Sequence, residues 1–385
     1  MAQGLEVVPR GPVACAAVLW RARGVLRVTV VVKATFGLVH EGTARLVAPV
    51  PIVDRDKHRD KNPTNSVEAA SDLAPFVDGA DVTLVGHAYT AAGHAVPAMS
   101  VRLAVGRDRM LIDKTLHVFG DRTAAQPGRP APFHRMPLVY ERAYGGPDVP
   151  ENPVGVGARG SPKLPNIVDP QDPLRPAGFA PIASIWPVRR GLLGGGQKRV
   201  LRPPILEIDD AFPWDYYHAA PGDQRLRQLV GDEWLVLDGL HPALPRLATR
   251  LPGARGVARA HLVHAHGAGP PQEISLAADT LAIDVDQQRC TLAWRGHLDM
   301  QAGAAQLDAL RLFAGVELPG YAVTWPTMQE VAAIPPPAVA SGESSTMDLG
   351  DTAAGGGPAK PSTPFAQPPT PARSGEPAED LGATR

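Results

Sequence analysis

Between Val25 and Val39 the chain alternates in character with every residue. Leu26, Val28, Val30, Val32, Ala34, Phe36 and Leu38 fall on one side, and Arg27, Thr29, Lys33 and Thr35 on the other. A period of two predicts a β-strand with one face in a core and the other partly wet. A helix would scatter Leu26, Val28 and Val30 around its circumference and is excluded. The same period returns in Asp81–Tyr89 through Val82, Leu84, Gly86 and Ala88, and in Met99–Val105 through Met99, Val101, Leu103 and Val105. Leu281, Ile283 and Val285 alternate, Asp286-Gln-Gln288 turns the chain, and Leu292, Trp294 and Leu298 resume the pattern. That segment reads as a β-hairpin.

From about Gly120 to Pro221 the alternation stops, and the segment is dense in proline and glycine. So long a loop region inside a domain is either functional or braced against a core. A short helix is expected from Gly222 to Val230, entered after Pro221, with Asp223 near its positive end and Gly231 stopping it. After Glu330 the chain turns to Pro, Gly, Ser, Thr and Ala, with Phe365 as its one aromatic. Such a segment cannot bury enough apolar surface to offset its ordering entropy, so 331–385 is expected to be a disordered tail. At most, Phe365 would be a short docking motif on that tether. Residues 1–330 would form the folded domain, either whole or as two lobes dividing near 190–200.

The 42 Pro and 39 Gly among 385 residues favour many short strands joined by fixed loops. The expected fold class is therefore mostly β, with antiparallel sheets in a sandwich or barrel-like arrangement, long Pro/Gly-rich loops and few short helices. A formal net charge of −1 gives no global field for nucleic acid or an acidic membrane. Cys15 and Cys290 stand alone in apolar settings and read as small buried hydrophobes. The N-terminal residues lack a charged region followed by an apolar stretch, and no apolar run approaches the ~20 residues that span a bilayer. The expectation is a cytoplasmic protein without membrane insertion.

Three groups of residues could carry chemistry. Gly155-Val-Gly-Ala-Arg-Gly160 matches the spacing of a dinucleotide fingerprint, but prolines at 153, 162 and 165 deny it the strand and helix it needs. His261, His264 and His266 cluster without an acidic or cysteine neighbour, so exposed histidines are expected rather than a metal site. Glu207, Asp209 and Asp210 precede an aromatic run, Phe212-Pro-Trp-Asp-Tyr-Tyr217, an arrangement that a glycan-acting hydrolase could use. The plainer reading is that the aromatics anchor the segment while the carboxylates face water. No nucleophile elbow, zinc-binding His pair or phosphate loop occurs, so no cofactor, metal or catalytic residue is expected.

A set of short motifs is ordered along the chain. They are Val31-Val-Lys-Ala-Thr-Phe36, Asp81-Val-Thr-Leu-Val-Gly-His-Ala88, Val118-Phe-Gly-Asp-Arg122 and Phe133-His-Arg-Met-Pro-Leu138. Then come Tyr140-Glu-Arg-Ala-Tyr-Gly-Gly146, Asn152-Pro-Val-Gly-Val-Gly157, Leu164-Pro-Asn166, Pro176-Ala-Gly-Phe179, Tyr217-His-Ala-Ala-Pro-Gly-Asp-Gln224 and Asp279-Thr through Trp294-Arg295. Together they resemble a bacterial domain-of-unknown-function family, number 2169, of adaptors associated with type VI secretion. The resemblance runs from the first strand to about Trp325 and departs at Leu192-Leu-Gly-Gly-Gly196. It implies a non-catalytic cytoplasmic adaptor or chaperone that helps load an effector onto the VgrG spike or its PAAR tip. A structural component of the secretion apparatus is the remaining alternative. The partner surface is expected on the loops from Phe133 to Phe179: Tyr140, Glu141, Arg142, Tyr144, Gly145, Gly146, Asn152, Pro153, Gly155, Asn166 and Phe179.

Overall fold

The strand Val25–Gly37 is the axis around which the rest is built. The structure is a computed structural model that describes residues 5–90, 94–158, 160–194, 205–301 and 303–335. Val25–Gly37 pairs on one side with Val13–Ala22 and on the other with Arg289–Met300, both antiparallel. The sheet continues through Ala277–Asp284 to Ala80–Val85 and Arg225–Leu226, and ends on its other side at Ile205–Ile208. The mostly-β expectation holds. The sheet is nevertheless mixed rather than antiparallel. Ala80–Val85 runs parallel to Ala277–Asp284, and Ile205–Ile208 runs parallel to Leu19–Ala22. The chain between Val85 and Ala277 builds much of a second and a third sheet before it returns, so the returning strand need not run antiparallel.

The hairpin expected around Asp286 is present as Ala277–Asp284 and Arg289–Met300. The long strand expected over Asp81–Tyr89 is broken into Ala80–Val85 and His87–Tyr89. Gly86 sits between them at φ +126, where a Cβ would also run into Val285 and Asp286. Register with the neighbouring strands places Leu26, Val28, Val30, Val32, Ala34, Phe36, Val82, Leu84, Leu281, Ile283, Leu292 and Trp294 in one apolar core. On that face lies a second sheet of Val7–Arg10, Leu310–Glu317 and Arg255–His264. It comes close enough that a Cβ on Gly256 would collide with the Trp294 ring. A third sheet contains Ala98–Gly106, Met110–Phe119, Trp234–Asp238 and Arg246–Arg250.

The helix expected over Gly222–Val230 is absent. Gly222–Gln224 forms one 3-10 turn, and Arg225–Leu226 then joins the edge of the central sheet beside Ala80–Asp81. Tertiary bonds override the local signals here: the buried Gln224 amide donates to the carbonyls of Val82 (2.7 Å) and Phe179 (3.0 Å). A helix over Met328–Ala333 crosses the boundary expected at 330, fixed by reciprocal capping between Thr327 and Glu330. Most of the expected tail (residues 336–385, Phe365 included) lies outside the described residues, as do residues 195–200 of the stretch near 190–200 where a division into lobes was expected. No described helix is long and apolar enough to cross a membrane.

Candidate functional site

Thr29, Lys33 and Thr35, expected on a partly wet face, are instead buried. A segment without regular periodicity, residues 47–79, crosses that second face of the central sheet as a strap. Its pins are polar. The Thr35 hydroxyl accepts from the Val50 amide at 2.9 Å, and the Thr29 hydroxyl donates to the Pro75 carbonyl at 2.7 Å. The Lys33 ammonium donates to the Pro51 carbonyl at 3.2 Å and meets the Asp72 carboxylate at 2.6 Å. That same Asp72 oxygen accepts from the Val53 amide at 2.7 Å. Arg295 donates to the Asp72 carbonyl at 2.7 Å and forms an ion pair with Asp279. Burial pushes the Asp279 carboxyl above the ordinary range, and the adjacent guanidinium pulls it back. Asp81 receives His218 at 2.6 Å and the amides of Ala219 and Ala220 at 2.6 and 3.0 Å.

Between strap and sheet lies a cleft of about 430 Å³. Its floor carries small side chains, Thr83, Thr280, Ala282, Thr291 and Ala293. Register explains why they meet: Ala282 lies opposite both Thr83 and Thr291, and Ala293 opposite Thr280 and Lys33. Val53, Val67, Leu138 and Val139 add apolar surface, and Lys57 and Arg59 of the strap also line the hollow. Volume and mixed lining suit a bound molecule or chain segment. General acid or base work needs a group free to exchange its proton with a ligand. Lys33, Asp72 and Asp279 are each held by an opposite charge and Asp81 by the His218 ring, with backbone amides adding to Asp72 and Asp81.

The residues expected to touch a partner divide sharply. Tyr140, Gly145, Gly146, Asn152, Asn166 and Phe179 are buried, and they brace the loops from within. The Asn152 side chain donates to the carbonyls of Tyr140 and Tyr144, both at 2.9 Å, and a Cβ on Gly145 or Gly155 would collide with it. The Asn166 amide donates to the Phe119 carbonyl at 3.1 Å and to Asp121 at 3.0 Å, and Arg142 reaches both Asp121 and Asn166. Lys114, its pKa lowered by burial against the pull of Asp223, donates to the Gly178 carbonyl at 2.6 Å. Tyr144, Pro153 and Gly155 are half-buried. Glu141 is the link to the cleft: it accepts from both the amide and the hydroxyl of Ser66 in the strap, each at 2.7 Å. Leu138 and Val139, just before it, line the cleft directly. Sequence reasoning thus found one wall of the site and missed its floor and roof. The missed signal was Lys33, a charge whose strand neighbours from Val28 to Phe36 are all apolar or hydroxyl-bearing.

The remaining candidates sit elsewhere, except that Tyr217, at the end of the aromatic run, also lines the cleft. Glu207 and Asp210 are exposed and ion-paired with Arg21 and Arg23, while Asp209 accepts from the Ala211 amide in its own turn. Phe212, Trp214, Tyr216 and Tyr217 pack with Trp20 as an aromatic cluster that anchors this segment. His261 is buried edge-on to Phe313, whereas His264 and His266 are exposed. No metal-competent group of His, Cys, Asp and Glu occurs among the described residues. Gly155–Gly157 continues into a bridge with Tyr144–Gly145 and not into a helix N-terminus. Cys290 is buried and Cys15 half-buried.

A family model described as an uncharacterized protein conserved in bacteria (DUF2169) matches residues 23–295. The match spans the central sheet's core strands, the strap, the braced loops and the cleft floor through Arg295. The chain matches no curated protein and no solved structure.

Proposed function

From the premise that the chain belongs to the DUF2169 family of uncharacterized proteins conserved in bacteria, we propose that it is a non-catalytic adaptor. It acts in the cytoplasm of the producing cell and helps load an effector onto the VgrG or PAAR spike of a type VI secretion machine. The secretion role rests on the resemblance in the order of its motifs. The observation that carries the binding role is the cleft: a hollow of about 430 Å³ on an otherwise covered sheet face. Its charged pairs are satisfied within the protein, which suits holding a partner more than transforming one. The walls are preset. Loops fixed by Asn152, Asn166 and Glu141 lose little entropy when they receive a partner. The same loop region leaves Leu174, Ile185, Val188 and Leu192 exposed, giving apolar contact area outside the cleft.

Removing the chain from a producing cell tests this role. The expected result is loss of export of the cognate effector while spike components still appear in the medium. Undiminished effector export would overturn it. Fractionation separates the adaptor from a structural component: an adaptor stays in the producing cell, and a component appears with the sheared machine.

A further inference from the structure

We propose, resting on the adaptor reading, that the cleft beneath the strap receives an extended acidic peptide segment of the protein partner. Its lining holds more donors than the protein satisfies. Lys57 and Arg59 line the hollow, and neither has an acidic partner among the described residues. Arg295 also lines it; its terminal nitrogens are engaged by Asp279, Thr280 and the Asp72 carbonyl, while its Nε has no acceptor. That side chain is 5% exposed. The Tyr217 hydroxyl, in the same lining, is likewise buried without a partner. Among the described residues, two cations without an acidic partner and two orphaned donors therefore surround one cavity.

The acids of the lining do not meet that demand. Asp72 is taken by Lys33 and the Val53 amide, Asp81 by His218 and two amides, and Asp286 by His87 and Tyr89. Asp284 lies 3.9 Å from Arg289 and accepts from the Gln287 amide. Glu68 is exposed on the strap. An occupant that brings carboxylates would pair with the cations, and charge-assisted bonds of this kind are the stronger ones. An extended peptide fits the shape better than a compact solute. The floor is a pleated sheet whose small residues lie in two adjacent rows, Thr83-Ala282-Thr291 and Thr280-Ala293, and Val53, Val67, Leu138 and Val139 offer apolar contact beside it. Two unpaired cations in a chain of net charge −1 are too few to hold a nucleic-acid backbone.

The probe is a random dodecapeptide library displayed on phage and selected on the immobilised full chain. The expected winners place Asp or Glu between apolar residues, and a synthetic winner binds in solution by fluorescence anisotropy. Reversing the rim charges with Lys57→Glu and Arg59→Glu should weaken it at least about tenfold, as should filling the floor with Ala282→Leu. Lys57 is exposed and Arg59 half-buried, so the Lys57→Glu change alone keeps the test valid if Ala282→Leu or Arg59→Glu fails to fold. No enrichment, enrichment of basic sequences, or an affinity indifferent to the rim charges would overturn the proposal. Co-expression with the effector and spike proteins separates its failure from that of the adaptor reading. A wild-type complex that survives both sets of changes removes the cleft assignment and leaves the adaptor standing. Absence of any wild-type complex removes the adaptor reading itself, whatever the peptides do.

Discussion

Lys33 and Asp72 meet at 2.6 Å, with side chains only 5% and 10% exposed, and so tie the axis of the central sheet to the strap that covers it. The pair decides the character of that face. Without it, a lysine in the middle of a sheet would need water, and residues 50–75 would lose a main anchor. With it, the strap is held across a hollow and not collapsed into one.

Replacing one member should therefore cost much more than replacing both. Asp72→Ala leaves the Lys33 ammonium buried and unpaired, at an expected cost of about 3–5 kcal/mol in urea unfolding. Lys33→Met with Asp72→Leu should recover most of that loss, because the double change leaves no orphaned charge. A double variant as unstable as the single one would show that Asp72 acts through its bonds to the strap backbone alone.

Asn152 predicts the behaviour of the loops. Asn152→Ala removes two donors from the Tyr140 and Tyr144 carbonyls, and should cost about 1–3 kcal/mol. Limited proteolysis should then cut between residues 144 and 158 faster than in the wild type. Unchanged cleavage would mean that the glycine packing suffices to hold the loop.

Both thiols should be inert in the folded chain at neutral pH. Burial pushes Cys15 and Cys290 up to about 12, so the reactive thiolate is scarce near pH 8 and grows only as pH rises. Labelling with a disulfide reagent at pH 8 should run on the order of 1000-fold slower than for a free thiol, and reach normal speed in denaturant. Rapid native labelling at Cys15 would place it outside its apolar setting.

The carboxylates near the aromatic run should matter little. Glu207→Gln with Asp210→Asn breaks two exposed ion pairs, expected to leave the urea midpoint essentially unchanged and effector export intact. Loss of export in a stably folded double variant would reopen the glycan-acting alternative.

The long strand and the hairpin were legible because a period of two survives any tertiary context that buries one face. Val28, Val30 and Val32 declare themselves, as do Leu281, Ile283 and Leu292. The second face was not legible. Thr29, Lys33 and Thr35 read as wet because their cover, the strap, shows little periodicity of its own and its key partner, Asp72, lies 39 residues away. At Gly222–Val230 the local start and stop signals were real, but Gln224 reaches two carbonyls of distant segments and draws the chain into an extended edge. Asn152 and Tyr140 stood out as motif residues. Their inward direction depends on glycines that admit them, Gly145 and Gly155 beside Asn152 and Gly178 beside Tyr140, a relation visible only once the loop is closed.

The most direct test of the central claim is co-purification of the full chain, expressed with a type VI effector and VgrG or PAAR protein of the same producing cell, followed by light scattering on the eluted species. The account predicts a complex whose mass contains this chain and the effector, and whose formation weakens when the Lys57 and Arg59 charges are reversed. An effector that joins its spike while this chain elutes alone would contradict it.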